Sequence, residues 1–440
     1  MSITLKEFAK RRKKLTEQMG ENTIAILSSA PVKSRNRDVD YPFRQNSDFH
    51  YLSGFVEPDA VLVLIPGREH GESILFCKER DITKELWDGV ITGPERAMDM
   101  FGVDDAFPIG DIDDILPGMI EGTKKVFYSM GLDAQFDSRV MEWINIIRSK
   151  VRSGAHPPGE FVALEHFLHD MRLYKSAQEI KLMAKAAEIS AEGHKRAMQR
   201  CKPGQYEYQL ESELMYTFMD AGSRSAAYPT IVGGGDNGCI LHYIDNNSAL
   251  KSGDLVLIDA GCELDYYASD ITRTFPVNGV FSLEQKALYE TVLNAQKAAI
   301  AEVKPGNHWN HPHEAAVRAI VEGLVEHGLL QGDVDTLIAE ESYKPFYMHR
   351  TGHWLGMDVH DVGEYKVGGE WRVLEPGMVL TVEPGLYIAP DCKDVEPRWR
   401  GIGIRIEDDV VVTKDGVRIL SEGAPKEIAE IEALMSQSAQ

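Results

Sequence analysis

Three things are scarce in this chain of 440 residues. Long apolar runs are missing: none approaches the ~18 residues needed to cross a bilayer, which speaks against a helical membrane protein. Positive charge is in deficit, 47 Lys and Arg against 69 Asp and Glu, for a net charge of -22. That balance argues against nucleic acid or an anionic membrane surface as the main partner, because phosphate binding needs a positive face. Cysteine is sparse and odd in number: Cys77, Cys201, Cys239, Cys262 and Cys392 lie far apart with no CxxC pair. They read as reduced thiols in a reducing compartment, so a cytoplasmic location is expected. Cys262, close to Asp259, reads as a small buried thiol and not as a ligand. The opening stretch MSITLKEFAKRRKKL has a basic run but no apolar core after it, so it is no secretory signal. Arg11 to Lys14 reads as the solvated face of a first helix.

The length predicts two domains, each with ample core. Residues 1–173 alternate strand and helix signals, the pattern of an α/β domain around a central sheet. Strands are expected over Thr23–Ser28, Ala60–Ile65, Ser73–Cys77 and Lys125–Tyr128, and helices over Leu5–Met19, Glu95–Phe101 and Asp137–Ser149. The densest polar stretch, Arg35 to Phe55, reads as a loop that is either a binding edge or a polar surface turn. Trp87 reads as an exposed contact between subunits or as ordinary partial burial. Ser153 to Gly159 forms a loop, a helix from Glu160 to Tyr174 is expected next, and the boundary falls near Leu173–Lys175. Ser176 with Glu179 then forms a capping box that opens a long amphipathic helix to about Arg200.

Residues 174–440 repeat their own plan. A helix capped by Ser176, Lys202-Pro203-Gly204 and a helix ended by Gly222 make the first unit. A helix capped by Ser282 with Gln285, Lys304-Pro305-Gly306 and a helix ended by Gly328 make the second. Each continues through a histidine-bearing segment (His242; His360) to a glycine-led apolar strand, and an acid stands six residues after each glycine: Gly253 to Asp259, Gly377 to Glu383. Such a period is too long for a solenoid. It predicts an α+β domain of duplicated αα-ββ halves facing each other across a pseudo-twofold, with a site between them.

Carboxylates converge on that site. Asp270 follows Asp259 by eleven residues, and a hairpin returning from Asp259 would set both acids on one side of neighbouring strands. In the strand GIGIRIE, Ile402, Ile404 and Ile406 take one face, so Gly403, Arg405 and Glu407 share the other. Gly401 and Gly403 allow something to approach the backbone closely. Arg405 can form hydrogen bonds to one of the acids. In HRTGHWLGMDVHD, His349 and His353 are four apart, but Gly352 and Gly356 speak against a zinc-type helix and no HExxH glutamate is present. One histidine as ligand, with His349 and His360 as acid–base or oxyanion groups, is the better reading. Four carboxylates and one imidazole balance two divalent ions, and oxygen-rich ligation favours Mn²⁺, Co²⁺ or Fe²⁺. Such a pair would generate a hydroxide nucleophile and steady the oxyanion of a hydrolytic step. The run His308, His311, His313, interrupted by Pro312 at a helix start, reads as a solvated turn.

With HRTGHWLGMDVHD and EPGMVLTVEPG around them, Asp259, Asp270, His353, Glu383 and Glu407 resemble the metal site of the pita-bread metallopeptidases. The N-terminal stretch RNRDVDYPFRQNSDFHYLSGF narrows the likeness to the aminopeptidase P branch. The resemblance implies two metal ions, most simply Mn²⁺, bridged by a hydroxide, with Asp259 and Glu407 contacting both, Asp270 bridging or chelating, and His353 and Glu383 completing one. It makes Glu383 the proton shuttle, sets His242, His349 and His360 along the substrate subsites, and has Arg405 orient the carboxylates. It further implies Tyr387 and Arg372 in or near the subsites, and Asp38 near the mouth of a neighbouring subunit's site. The implied substrate is a peptide with proline second, losing its first residue, in a homo-oligomer (dimer or tetramer) whose N-terminal domain restricts access. Prolidase, which cleaves Xaa-Pro dipeptides, is the alternative. A metal-free member or a catalytically dead binding protein is disfavoured, since those lose ligands.

Overall fold

The computed structural model describes residues 2–437. It divides into two compact units, Met1–Met171 and Arg172–Gln440.

The first unit is an α/β domain around a six-stranded mixed sheet. Strand Thr23–Ser28 lies at its centre, antiparallel to Val61–Leu64 and parallel to Lys125–Phe127. Ile24, Ile26, Val63 and Val126 are wholly or almost wholly buried in its core. Three expectations are corrected. The segment Glu160–Tyr174 is not one helix: Glu160–Val162 is an edge strand parallel to Lys125–Phe127, and the helix is Glu165–Leu173. Pairing with the sheet edge overrides local propensity there. The stretch Arg35 to Phe55 is not one loop either, but an exposed ribbon, Ser34–Asn36 with Val39–Asp40, followed by a buried helix, Ser47–Ser53. The basic run of the first helix is only half solvated. Arg11 and Arg12 are buried and donate to the carbonyls of Tyr51 (3.0 Å) and Leu52 (2.9 Å). Those are last-turn carbonyls of helix Ser47–Ser53, which lack intrahelical partners and carry the negative end of its dipole. Trp87 is 86% exposed on helix Ile82–Asp88.

In the second unit both capping boxes form, opening helices Ala177–Arg200 and Leu283–Ala301. Each packs on the next helix of its half, Glu207–Asp220 or His311–Glu326. The first half's sheet pairs Leu255–Asp259 with Ile231–Gly234 and Thr272–Pro276. The second half pairs Val379–Val382 with Asp408–Thr413, and Gly385–Ile388 with Ile402–Arg405. One core serves both halves, running through Phe218, Val256, Leu288, Leu324, Leu386 and Ile404.

The return from Asp259 is not a plain hairpin. Asp259 stands opposite Thr272, and a small hairpin, Cys262–Leu264 with Tyr267–Ala268, is inserted between them. Its turn residues Asp265 and Tyr266 both have positive φ (46° and 71°), as a two-residue turn of mirror-image type requires. At its root the chain crosses itself so closely that a Cβ on Gly261 would lie 1.7 Å from the Ser269 carbonyl oxygen. Close approach is also why residue 403 lacks a side chain: a Cβ there would lie 2.1 Å from the Gly238 carbonyl oxygen.

Beneath the sheets a buried ion pair joins the halves. The Asp408 carboxylate accepts from Arg273 (2.7 Å), Lys426 (2.5 Å) and Gln296 (2.6 Å). Burial alone would raise its pKa, but Arg273 and Lys426 hold it down to about 2. A carboxyl depressed in the folded state stabilises above its unfolded value and loses that contribution as pH falls towards 2. Asp408→Ala leaves the buried Arg273 and the half-buried Lys426 without their carboxylate, so chemical denaturation at pH 7 is expected to show a loss of about 3–5 kcal/mol. A loss below about 1 kcal/mol, the range of an exposed pair, would remove this network from the account.

Candidate metal centre

A cavity of about 540 Å³ in the second unit gathers the acids Asp259, Asp270, Glu383 and Glu407. His242, His349, His353, His360 and Arg405 wall the same space. Asp259 closes its strand, Glu383 directly follows Val379–Val382, and Glu407 stands just beyond Ile402–Arg405. The duplicated strands therefore deliver acids at matching ends. His349 and His353 sit on an irregular segment, and His353 is tied to the Glu383 strand by its backbone N–H to Thr381 Oγ1 (3.1 Å). Next to His360, Asp361 is locked by Lys175 (2.9 Å) and Arg172 (2.5 Å).

Contacts among these groups are close. Ligand atoms of Asp270, His353 and Glu407 all lie within 4.8 Å of one another. His353 Nε2 is 3.3 Å from Asp270 Oδ2 and 3.7 Å from Glu383 Oε1. Its Nδ1 lies 3.0 Å from the Trp354 carbonyl, which aims Nε2 at the acids. The Tyr228 hydroxyl reaches Asp259 Oδ1 (2.6 Å) and Asp270 Oδ1 (2.5 Å), two acceptors for one proton. Arg405 donates to Asp259 (2.6 Å), Tyr387 (2.9 Å) and the Thr272 hydroxyl (3.1 Å). Thr272 in turn donates to Glu407 (2.7 Å), and the Tyr387 hydroxyl meets His349 Nε2 at 2.9 Å.

The charges do not balance without an added cation. Burial drives the Glu407 carboxyl well above its usual range, with Asp270, Glu383 and Asp259 adding repulsion. Burial likewise pushes Glu383 up to about 7 against the pull of His353 and Arg405. Asp259 is raised by burial despite Arg405, whereas on Asp270 burial, the largest single influence, is outweighed by the hydrogen bond and charge of His353 together with the Tyr228 hydroxyl, which keep it low. Burial disfavours a charged His353, yet the bond to Asp270 and the field of Glu383 lift it to about 9. His349 goes the other way, down to about 4, through burial and the nearby Arg405. Four clustered carboxylates with an imidazole nitrogen, partly offset by Arg405, are a donor set that fits hard divalent cations.

Not every expected residue comes to the cavity. Arg372 does not line it: its guanidinium faces Glu364 (4.0 Å) and the Tyr174 hydroxyl (3.5 Å). Its backbone is held between Tyr365 and Trp309 by hydrogen bonds of 2.9 Å each. Asp38 lies in the exposed turn of the Ser34–Asp40 ribbon of the first unit. Tyr387 stands behind Arg405, buried, and touches the site through its hydroxyl. Cys262 is buried, its Sγ 3.4 Å from the Ala186 carbonyl. The histidine run is not a solvated turn throughout, because His313 reaches inward to Thr351 (2.8 Å) while His308 and His311 stack on each other at 3.5 Å. Sequence reasoning missed Tyr228 and Thr272. The duplication offered only an inexact signal for Tyr228, which precedes Asp259 by 31 residues where His349 precedes Glu383 by 34.

Comparison with known proteins agrees with this geometry. Residues 181–414 match metallopeptidase family M24, and residues 8–128 match the aminopeptidase P N-terminal domain. The chain is 46% identical to the Xaa-Pro aminopeptidase of Escherichia coli over 434 residues, 98% of each protein. Its structure resembles that of Pseudomonas aeruginosa aminopeptidase PepP, at a TM-score of 0.99, 63% identity and 99% coverage of both chains. It also resembles E. coli aminopeptidase P with the inhibitor Pro-Leu, at a TM-score of 0.97 and 46% identity, covering 100% of this chain and 99% of that one. The chain belongs to metallopeptidase family M24, in the aminopeptidase P form with its own N-terminal domain.

Proposed function

We propose that the protein is a metal-dependent Xaa-Pro aminopeptidase, which removes the first residue from peptides with proline second. The observation that carries this reading is the acid cluster, with Arg405 as its fixed cation, opening into a cavity walled by histidines. Asp259, Asp270, His353, Glu383 and Glu407 would hold two divalent ions, Mn²⁺ best matching oxygen-rich ligation. When bound, the ions supply positive charge at the scissile carbonyl and acidify the attacking water.

The chain's own residues do the rest. Glu383, which lines the cavity beside the other acids, takes the proton of the attacking water and returns it to the prolyl nitrogen as the peptide bond breaks. Asp259 is held in place by Arg405, and Glu407 by Thr272. His349 already has both ring nitrogens engaged, with the Arg350 carbonyl (2.8 Å) and with Tyr387 (2.9 Å), so it walls the proline side as a neutral ring. His360, whose ring lies 4.2 Å from that of His353, steadies the tetrahedral intermediate, and His242 closes the rim. Arg372 belongs with the outer subsites. The N-terminal domain limits access, and Asp38 reaches the site of a neighbouring subunit in a homo-oligomer, dimer or tetramer. The E. coli relative that binds Pro-Leu supports a proline directly after the scissile bond. Five free cysteines support the cytoplasm as its location.

Prolidase chemistry uses the same kind of metal site, and substrate length separates the two. A tripeptide Xaa-Pro-Yaa is expected to be cleaved to free Xaa and Pro-Yaa, with the Xaa-Pro dipeptide left intact, as read by amino-acid analysis. Turnover confined to the dipeptide would sink the aminopeptidase reading.

A further inference from the structure

Among the histidines that the proposed reaction leaves unused, His313 is the one joined to the segment that carries His349 and His353. His313, the third residue of helix His311–Glu326, lies with its Nδ1 2.8 Å from Thr351 Oγ1. The same hydroxyl is 2.6 Å from the hydroxyl of Tyr347, which is 1% exposed. Thr351 faces the site through its backbone, where its carbonyl accepts the Glu383 N–H at 2.8 Å. Two residues before it stands His349, against whose ring Tyr347 packs edge-on at 5.0 Å, and two residues after it stands His353. The segment carrying both histidines is thus pinned at its middle, on one side to Glu383 and on the other to His313. Burial, with Arg350 and His349 close by, pushes His313 down to about 3, so its ring is neutral and keeps one nitrogen as acceptor and one as donor.

The duplication supplies a second, independent observation. His313 stands nine residues after Lys304 of Lys304-Pro305-Gly306, and Glu211 stands nine after Lys202 of Lys202-Pro203-Gly204. Glu211 accepts from Asn246 Nδ2 (2.9 Å), and the same amide donates to the Thr230 carbonyl (2.9 Å). Thr230 follows Tyr228 by two residues, as Thr351 follows His349 by two. In both halves, then, the residue nine after the lysine is linked to the segment that presents an aromatic side chain to the cavity, directly through Thr351 in the second half and by way of Asn246 in the first. Different residue types perform the same task at the same place.

We propose that His313 is a positioning residue for peptide hydrolysis, holding the Tyr347–His353 segment in register with Glu383 through the Thr351 hydroxyl. The proposal rests on the aminopeptidase reading and adds to it a residue that touches neither substrate nor metal. Its loss leaves the Thr351 hydroxyl short of a partner and lets the segment drift, which costs turnover more than substrate affinity.

The test compares His313→Leu, His313→Asn and Thr351→Val with the parent at saturating Mn²⁺, measuring kcat and KM for one tripeptide together with the melting temperature. His313→Leu is expected to lower kcat about 10–100-fold, as losing a residue that orients catalytic groups does, with KM within about threefold. His313→Asn, whose amide can reach the place of Nδ1, recovers most of that loss. Thr351→Val reproduces it by removing the hydroxyl alone, and still tests the bond if His313→Leu does not fold. The double variant His313→Leu/Thr351→Val is no worse than either single one, because both break the same link. A kcat for His313→Leu within twofold of the parent, equal impairment by Leu and Asn, or losses that multiply in the double variant would each overturn the proposal. If the parent proves to cleave dipeptides only, the function reading fails separately, and the same ratios are taken on the dipeptide.

Discussion

Glu383→Ala is expected to reduce tripeptide turnover by about 10²–10⁴-fold, the contribution of a positioned acid–base group, while the protein still folds. This carboxylate lines the cavity with loose contacts, His353 at 3.7 Å and His349 at 4.0 Å, so it can take a proton from water and give it back within one cycle. No neighbour can substitute. Glu407 is engaged by Thr272, Asp259 by Arg405 and Tyr228, and Asp270 by His353. The fold is expected to survive because one of several crowded carboxylates is removed, which relieves repulsion when metal is low. The measurement is kcat at saturating Mn²⁺ beside a thermal melt. Turnover within tenfold of the parent would show that another group carries the proton.

Chelation is expected to abolish activity completely and to lower the melting temperature. A ligand held at 1,000 times its dissociation constant contributes about 4 kcal/mol to the folded state. At roughly 2–4 °C per kcal/mol for domains of this size, removing it costs on the order of 10 °C. The effect depends on pH in a definite sense. Without metal, Glu383 is raised in the folded chain from 4.5 to about 7, so across that window the folded state holds a proton that the unfolded chain releases. Stability of the metal-free protein therefore falls as pH rises through the window. The melting gain on adding Mn²⁺ should accordingly be larger at pH 7.5 than at pH 5. Full activity after exhaustive chelation would refute the metal reading, and a pH-independent gain would refute the account of the carboxylates.

How much of this was legible in the chain itself depends on range. Capping boxes at Ser176 and Ser282 bind residues three apart, so the sequence announced both helix starts. The six-residue step from Gly253 to Asp259 and from Gly377 to Glu383 repeats within a duplicated unit, and alternation placed Arg405 and Glu407 on one face. Local periodicity and repetition were enough to nominate the residues that share the cavity.

Partners set by folding were not legible. The inserted hairpin puts Thr272, not Asp270, opposite Asp259, and so makes Thr272 the link between Arg405 and Glu407. Arg11 and Arg12 look like surface charge until the last carbonyls of another helix are brought to them. Glu160–Val162 becomes a strand only because Lys125–Phe127 offers it an edge. Likewise His313 reads as one of three turn histidines until Thr351 arrives from 38 residues away. By itself the sequence carried the duplicated plan and the acids, which are written in spacing and repetition, and the motifs by which the chain resembles its family. Only the tertiary structure decided which neutral side chains hold those acids apart, because a hydrogen-bond partner is chosen by where the chain returns.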